Sequence, residues 1–311
     1  MKNATLLIHP DELSYKWIDR MAAHKIPTLA LHPAGGRKAP RTLAAMVEQL
    51  QDPDYRAMLD YAAEKGLRIE YEMHAARYLL PAAEFEAHPD WFRMNAEGVR
   101  STDWNCCCDS VDALDFIAER AAALVKQFYR SSNRYFLWMD DAKDTFCHCP
   151  ACQALSPSDQ QMKILNHILR RLRQDDPTAT LAYLGYFECS EPPEKILPEE
   201  GIFLEYAPFE RDFHKPMAAQ EHPLERLLRV LPVDEAKILE YWYDNSLFSN
   251  WTKPPKPFTV DAPVLAADFD FYRSFGFADI GCFACYLGAD YEELYGEVDI
   301  APFARAYHGE K

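Results

Sequence analysis

Basic residues are in short supply: 33 lysines and arginines stand against 49 aspartates and glutamates, a formal net charge of −16. A surface that must neutralise phosphates needs the opposite balance, so nucleic acid is excluded as an expected partner. No lysine or arginine cluster reads as a patch for anionic lipid. Long apolar runs are missing as well. The N-terminal "ATLLI" is too short for a signal-peptide core, and nothing approaches the ~20 residues that span a bilayer. The expected setting is therefore the cytoplasm, with no membrane contact. Glycine is scarce, at 11 of 311 residues, and no Gly-rich phosphate turn follows any apolar run. That argues against a dinucleotide-binding open sheet and against an organic cofactor. There is no low-complexity linker and no internal repeat, and no pattern specifies an oligomer.

What is present is a recurring unit: a short apolar run, a polar terminus, then an amphipathic segment. The runs are Thr5–His9, Thr28–His32, Arg68–His74, Tyr135–Asp140, Thr180–Tyr186, Gly201–Tyr206, Lys237–Tyr243 and Asp279–Ala284. Such runs fit strands buried on both faces of a parallel sheet. Helices are expected over Asp11–Ala23 with Asp11 as N-cap, Pro53–Lys65 ending at Gly66, Val111–Tyr129, Ser158–Gln174 and Ala262–Phe275. Phe187–Glu200 and Asn245–Pro257 read as loops. Eight alternations predict an α/β fold, a single (β/α)8 TIM barrel over residues 1–311 with long loops after strands three and four.

A parallel barrel carries its chemistry at the carboxyl ends of its strands. Those ends hold His9, His32, Glu72, His74, Trp138, Asp140, Asp141, Tyr186, Glu188, Glu205, Tyr206, Glu240, Trp242, Asp244, Cys285 and Tyr286. Carboxylates mixed with aromatics suit sugar chemistry, where an acidic pair flanks an oxocarbenium-like transition state. Asp141 is the expected general acid, Asp140 an orienting carboxylate and Glu240 the second carboxylate. Successive strand side chains face opposite ways, so Asp140 and Asp141 share a face only if the strand has already ended. Carboxylates crowding with Glu205 and Glu240 would raise at least one pKa. Trp138, Tyr206, Trp242 and Tyr243 are expected to line the pocket with Tyr186 and Glu205. His74 and Arg77 are assigned to substrate hydroxyl or carboxylate contacts. Two other functions fit the same residues. One is a sugar-binding barrel without catalysis; the other is a metal-dependent hydrolase or isomerase using His9, His32 and His74.

"CHCPAC" places Cys147, Cys149 and Cys152 after strand four, and "NCCCDS" places Cys106, Cys107 and Cys108 in the loop after strand three. A barrel sets these loops side by side. Cys107, Cys147, Cys149 and Cys152 would then make a structural zinc site, with His148 an alternative fourth ligand. Disulfides, unlinked thiols or an iron–sulfur cluster are the other readings. Cys189, Cys282 and Cys285 read as core or pocket lining.

The segments "HPDWFRMNAEGVR" (88–100), "NCCCDS", "FLWMDD…CHCPACQALSPSDQ" and "NHILRRLRQDDPTATLAYLGY" resemble the DUF4838 family of bacterial barrels, related to family 20 and family 67 glycoside hydrolases. The likeness runs from about strand three to strand eight. It implies a TIM barrel and a carbohydrate substrate. In the family 20 relatives an Asp-Glu pair closes strand four, the first orienting an acetamide and the second acting as acid. Here the pair is Asp140–Asp141, with a shorter second acid.

Overall fold

In a computed structural model, described for residues 1–310, eight parallel strands close into one barrel in chain order, β8 pairing back onto β1. They are β1 (Asn3–Ile8), β2 (Thr28–Leu31), β3 (Arg68–His74), β4 (Arg134–Trp138), β5 (Thr180–Gly185), β6 (Ile202–Tyr206), β7 (Lys237–Glu240) and β8 (Asp279–Phe283). Each coincides with an expected run; six are shortened at the carboxyl end, where the chain leaves the sheet, while β3 and β6 end at the expected His74 and Tyr206.

Alternation sorts the side chains into two cores. Leu7, Ala30, Phe136, Trp138, Ala182, Leu184, Phe203, Leu239 and Phe283 fill the barrel. Leu6, Ile8, Leu29, Leu31, Tyr71, Leu137, Tyr183, Leu204 and Ile238 point out against the helices. Both faces are dry, which is why the strands read as continuous apolar runs.

The amino-terminal half of the barrel interior is polar. The Lys237 ammonium is fully buried among three carboxylates, bonded closely to Glu72 and lying 3.4 Å from Glu70 and 3.5 Å from Glu205. Arg134 adds a second cation, 3.7 Å from Glu70 and closely paired with Asp279. Burial pushes the Glu72 and Glu205 carboxyls up, while Lys237 pulls against it. Glu205 also accepts a 2.7 Å bond from the Trp138 indole, so this layer orients the tryptophan above it.

Helices cover the barrel at 15–23, 39–49, 53–64, 111–125, 157–175, 224–230, 262–274, 289–295 and 301–308, with single helical turns at 76–79 and 245–248. The first starts later than expected. Ser14 is its N-cap, accepting from the Trp17 N–H at 3.3 Å, and Asp11 belongs to a preceding 3-10 turn. Helix 53–64 stops before Gly66, whose φ of +85° suits a C-cap glycine. Helix 111–125 ends four residues before Tyr129, the expected end. No α-helix joins β5 to β6; only a 3-10 turn, Phe187–Cys189, interrupts that loop. Among the described residues no helix is long and apolar enough to cross a membrane.

Candidate active site at the carboxyl-end mouth

Above the Trp138 layer, a cavity of about 600 Å³ opens at the carboxyl ends of the strands. That volume lies within the usual range for small-molecule sites, about 300–1,000 Å³. Its walls come from almost every strand end: His9, His32, His74, Trp138, Asp141, Tyr186, Phe209, Tyr241, Asp244, Trp251, Phe283 and Tyr286.

The three histidines form an arc. The His9 Nδ1 lies 2.7 Å from the His32 carbonyl, the His32 Nδ1 lies 2.9 Å from the Glu72 carbonyl, and the His74 Nδ1 lies 2.5 Å from the Met139 carbonyl. A carbonyl only accepts, so each Nδ1 carries a hydrogen. In a neutral ring Nε2 is then left as an acceptor. Burial, with His9 and His74 alongside, holds His32 well below the usual histidine range, so it is neutral at physiological pH. The rings interleave with the aromatics, His32 lying 5.5 Å from Trp138 and 5.0 Å from Phe283 by centroid. The three rings do not converge closely enough to hold one ion; among the described residues only a cysteine cluster does.

Asp140 and Asp141 part company. β4 ends at Trp138, so strand alternation no longer governs either side chain. Asp140 turns beneath the mouth, where Arg77 Nε donates to it at 3.1 Å and Asn105 Oδ1 accepts from its backbone N–H at 2.9 Å. Burial pushes its carboxyl up to about 6 against the pull of Arg77. Asp141 faces the cavity, and the Tyr186 hydroxyl donates to its Oδ1 at 2.9 Å. Asp244, beyond β7, lines the same cavity. Its Oδ1 accepts from the Ser246 hydroxyl at 2.5 Å, the Ser246 N–H at 3.1 Å and the Leu247 N–H at 3.3 Å, capping the turn 245–248. Burial raises the Asp244 carboxyl, opposed by those bonds and by His9.

Several expected site residues lie elsewhere. Glu240 is outside the barrel wall, because Leu239 and Tyr241 hold the inward positions on β7. It is bound by Arg211 at 2.6 Å and by the Tyr272 hydroxyl, and burial pushes its carboxyl up to about 7. Trp242 shares that outward neighbourhood, its indole donating to Asp268 at 3.0 Å. Tyr206 and Tyr243 belong to the helix-facing core; the Tyr243 hydroxyl donates to the Asp299 carbonyl at 3.0 Å. Glu205 lies below the floor with Lys237. Neither Glu205 nor Glu240 meets the aspartates, so the expected crowding of carboxylates at the mouth does not occur. Arg77 stands behind the wall, joining Asp140 to the Gly36 carbonyl, which it reaches at 2.7 Å.

Other residues at the mouth escaped the sequence reading. Gly35 sits where an added Cβ would come within 2.7 Å of Asp141 Oδ2 and 2.9 Å of His74 Cδ2. The pair Gly35–Gly36 just past β2, in a chain with few glycines, was the available signal. Phe187, Trp251 and Tyr286 line the cavity with φ of +45°, +52° and +60°. Left-handed backbone is uncommon for bulky residues and concentrates at functional sites. Trp251 is 59 % exposed, an indole held at the rim.

The family model of the domain of unknown function DUF4838 matches residues 40–244, well over half of the chain. The chain belongs to the DUF4838 family. No curated protein sequence matches it. Solved structures similar to this DUF4838 chain include a glycoside hydrolase family 5 enzyme of Prevotella bryantii, solved with a xyloglucan tetradecasaccharide. The two are 10 % identical with a TM-score of 0.55, covering 96 % of this chain and 86 % of that one. A β-galactosidase of a Rahnella species is 12 % identical with a TM-score of 0.57, covering 99 % of this chain and 55 % of that one. An O-GlcNAc hydrolase of Thermobaculum terrenum is 10 % identical with a TM-score of 0.54, covering 92 % and 55 %. This DUF4838 chain spans about half the length of the last two. At these identities the likeness is one of fold: a glycoside hydrolase-like TIM barrel.

Proposed function

We propose that this protein is a carbohydrate-processing hydrolase whose working carboxylates are Asp141 and Asp244. The observation that carries this reading is that both acids line one aromatic-walled cavity at the carboxyl-end mouth, from β4 and β7. Asp141 is the proton donor, its carboxyl oriented by Tyr186. Asp244 takes the place first assigned to Glu240, as the carboxylate facing the developing positive charge. Tyr186, Tyr241, Phe209 and the rim indole of Trp251 offer flat faces for sugar C–H surfaces. Sugar hydroxyls would donate to the free Nε2 of His9, His32 and His74. The hydrolases that share the fold act on carbohydrates by their own descriptions, which is consistent with this substrate class.

A second reading, binding without cleavage, is favoured by the three hydrogen bonds already held by Asp244 Oδ1. One experiment separates the two. A panel of aryl glycosides is screened for release of the phenol, and oligosaccharides are titrated while tryptophan fluorescence is followed. Turnover of at least one glycoside is expected, with quenching that Trp251→Ala reduces. Quenching without any turnover would establish the binding reading, and neither signal would overturn both.

A further inference from the structure

Six of the nine cysteines lie beside the mouth without taking part in it. Four of them, Cys107 from the loop after β3 and Cys147, Cys149 and Cys152 from the loop after β4, bring their sulfurs within 4.8 Å of one another. All four are buried. The Cys107 sulfur is 3.7 Å from that of Cys149 and 3.8 Å from that of Cys152. A disulfide needs about 2.05 Å, so neither pair is bonded, and all nine cysteines are free. A tetrahedron of sulfurs around one ion, with metal–sulfur bonds of ~2.3 Å, has edges of ~3.8 Å. The two edges from Cys107 to Cys149 and Cys152 have that length, and the rest lie within 4.8 Å.

The surroundings are those of a thiolate centre. Cys147 Sγ accepts from the Met94 N–H at 3.3 Å and from the Cys149 N–H at 3.5 Å, the kind of outer contact that orients ligating groups. Arg100 lies against Cys107, and Arg93 is close enough to Cys147 to feel its charge. Arg93 is already paired with Asp103 at 2.8 Å, so Arg100 is the guanidinium left to offset the negative charge of a divalent ion held by four thiolates. His148 is not a ligand: its Nε2 is 3.0 Å from Asp144 at the surface. Cys108 approaches Cys152 at 3.5 Å but lies outside the four.

We infer that Cys107, Cys147, Cys149 and Cys152 bind one zinc ion in a closed, structural tetrathiolate site. Soft sulfur ligands in tetrahedral array select zinc over magnesium, calcium or manganese, and four protein ligands leave no open position for chemistry. The site clasps two loops that are otherwise joined by light polar contacts. Asn105, two residues before Cys107, donates to Thr145 Oγ1 at 3.0 Å, and Arg93 donates to the Asp144 carbonyl at 2.7 Å. The clasped segment begins at Asp140 and Asp141, so the ion holds in place the strand end that enters the cavity. This does not depend on what the cavity binds.

The test is elemental analysis of the purified full-length chain, with variants. The parent should carry about one zinc per chain, and cobalt grown in its place should give the visible bands of a tetrahedral thiolate site. Cys149→Ser and Cys107→Ser should lose most of the metal, while Cys108→Ser and Cys282→Ser keep it. A strong chelator should lower the melting temperature of the parent, since structural zinc contributes folding energy. A metal-free parent whose melting ignores the chelator would overturn the proposal, as would iron in place of zinc. Full zinc occupancy in both Cys107→Ser and Cys149→Ser would overturn the ligand set.

Discussion

The end of β4, Trp138-Met139-Asp140-Asp141, and the end of β7, Glu240-Tyr241-Trp242-Tyr243-Asp244, both run from a buried strand into carboxylates and aromatics. In each, the nearer acid is consumed by structure and the farther one reaches the cavity. Asp140 answers Arg77, and Glu240 answers Arg211. Asp141 and Asp244 line the mouth. The difference lies in what holds the farther acid. Asp244 is fixed locally, by the backbone of the turn it caps. Asp141 is fixed at a distance, through Tyr186, the close passage of Gly35 and the cysteine clasp a few residues on. A strand-end carboxylate is therefore a site residue only once its own salt partner has been looked for; a buried acid with a buried arginine is already spoken for.

The largest effect should come from breaking the structural side of this comparison. Arg211 is buried between Glu240 and Asp268, at 2.6 and 2.8 Å. Arg211→Met would leave two buried carboxylates without their cation, a loss of about 3–5 kcal/mol by analogy with broken buried pairs. Denaturant unfolding should show that loss, and below the melting transition ligand binding in the cavity should persist. Unchanged stability would show that the outward cluster at β7 is not the anchor described.

A smaller effect sharpens the other side. Gly35→Ala adds a methyl 2.7 Å from Asp141 Oδ2, at a backbone angle that alanine tolerates. The carboxyl must shift, and misplacement of a reacting group by part of an ångström costs roughly tenfold in rate. Glycoside turnover should fall by about that factor while the melting temperature hardly moves. Equal turnover in the variant would mean that Asp141 needs no fixed position.

A further effect is on pH. Three buried carboxyls are held high in the folded chain: Asp140 at about 6, Glu240 at about 7 and Glu12 at about 8. Burial is the main cause in each. In the unfolded chain the same groups release their protons near pH 4. Between that value and their folded values the native state holds more protons, so stability falls as pH rises from about 4 towards 8. Melting should be higher at pH 5.5 than at pH 8, and Glu12→Gln should flatten the upper part of the slope. A rise in stability over that interval would contradict these assignments.

Much of this molecule was legible in its residues. The eight apolar runs became the eight strands because both faces of each strand are dry, which leaves a signal that survives without knowing the neighbours. The cysteines were legible too, since loops that follow adjacent parallel strands must lie together. What the runs concealed was parity. A strand apolar on both faces does not announce which residues point inward, so Glu240, Trp242 and Tyr206 were assigned to the pocket from position alone. Lys237 set the parity of β7 by pointing into the barrel towards Glu72 and Glu205, a pairing 165 residues apart for the first of them. Phe209, Trp251 and Gly35 lie on loops, where no periodicity marks them.

Which acids face the reaction decides how this barrel works. The direct measurement is kcat/KM for the best glycoside from the screen, in Asp141→Asn, Asp244→Asn and Glu240→Gln, all assayed below their melting temperatures. Asp141→Asn and Asp244→Asn should each lose on the order of 10²–10⁴-fold, the usual contribution of a positioned acid or base. Glu240→Gln, which changes a residue outside the barrel wall, should stay within a few-fold of the parent. Full turnover in Asp141→Asn, or a loss in Glu240→Gln as large as in Asp244→Asn, would contradict the assignment of the site to the mouth.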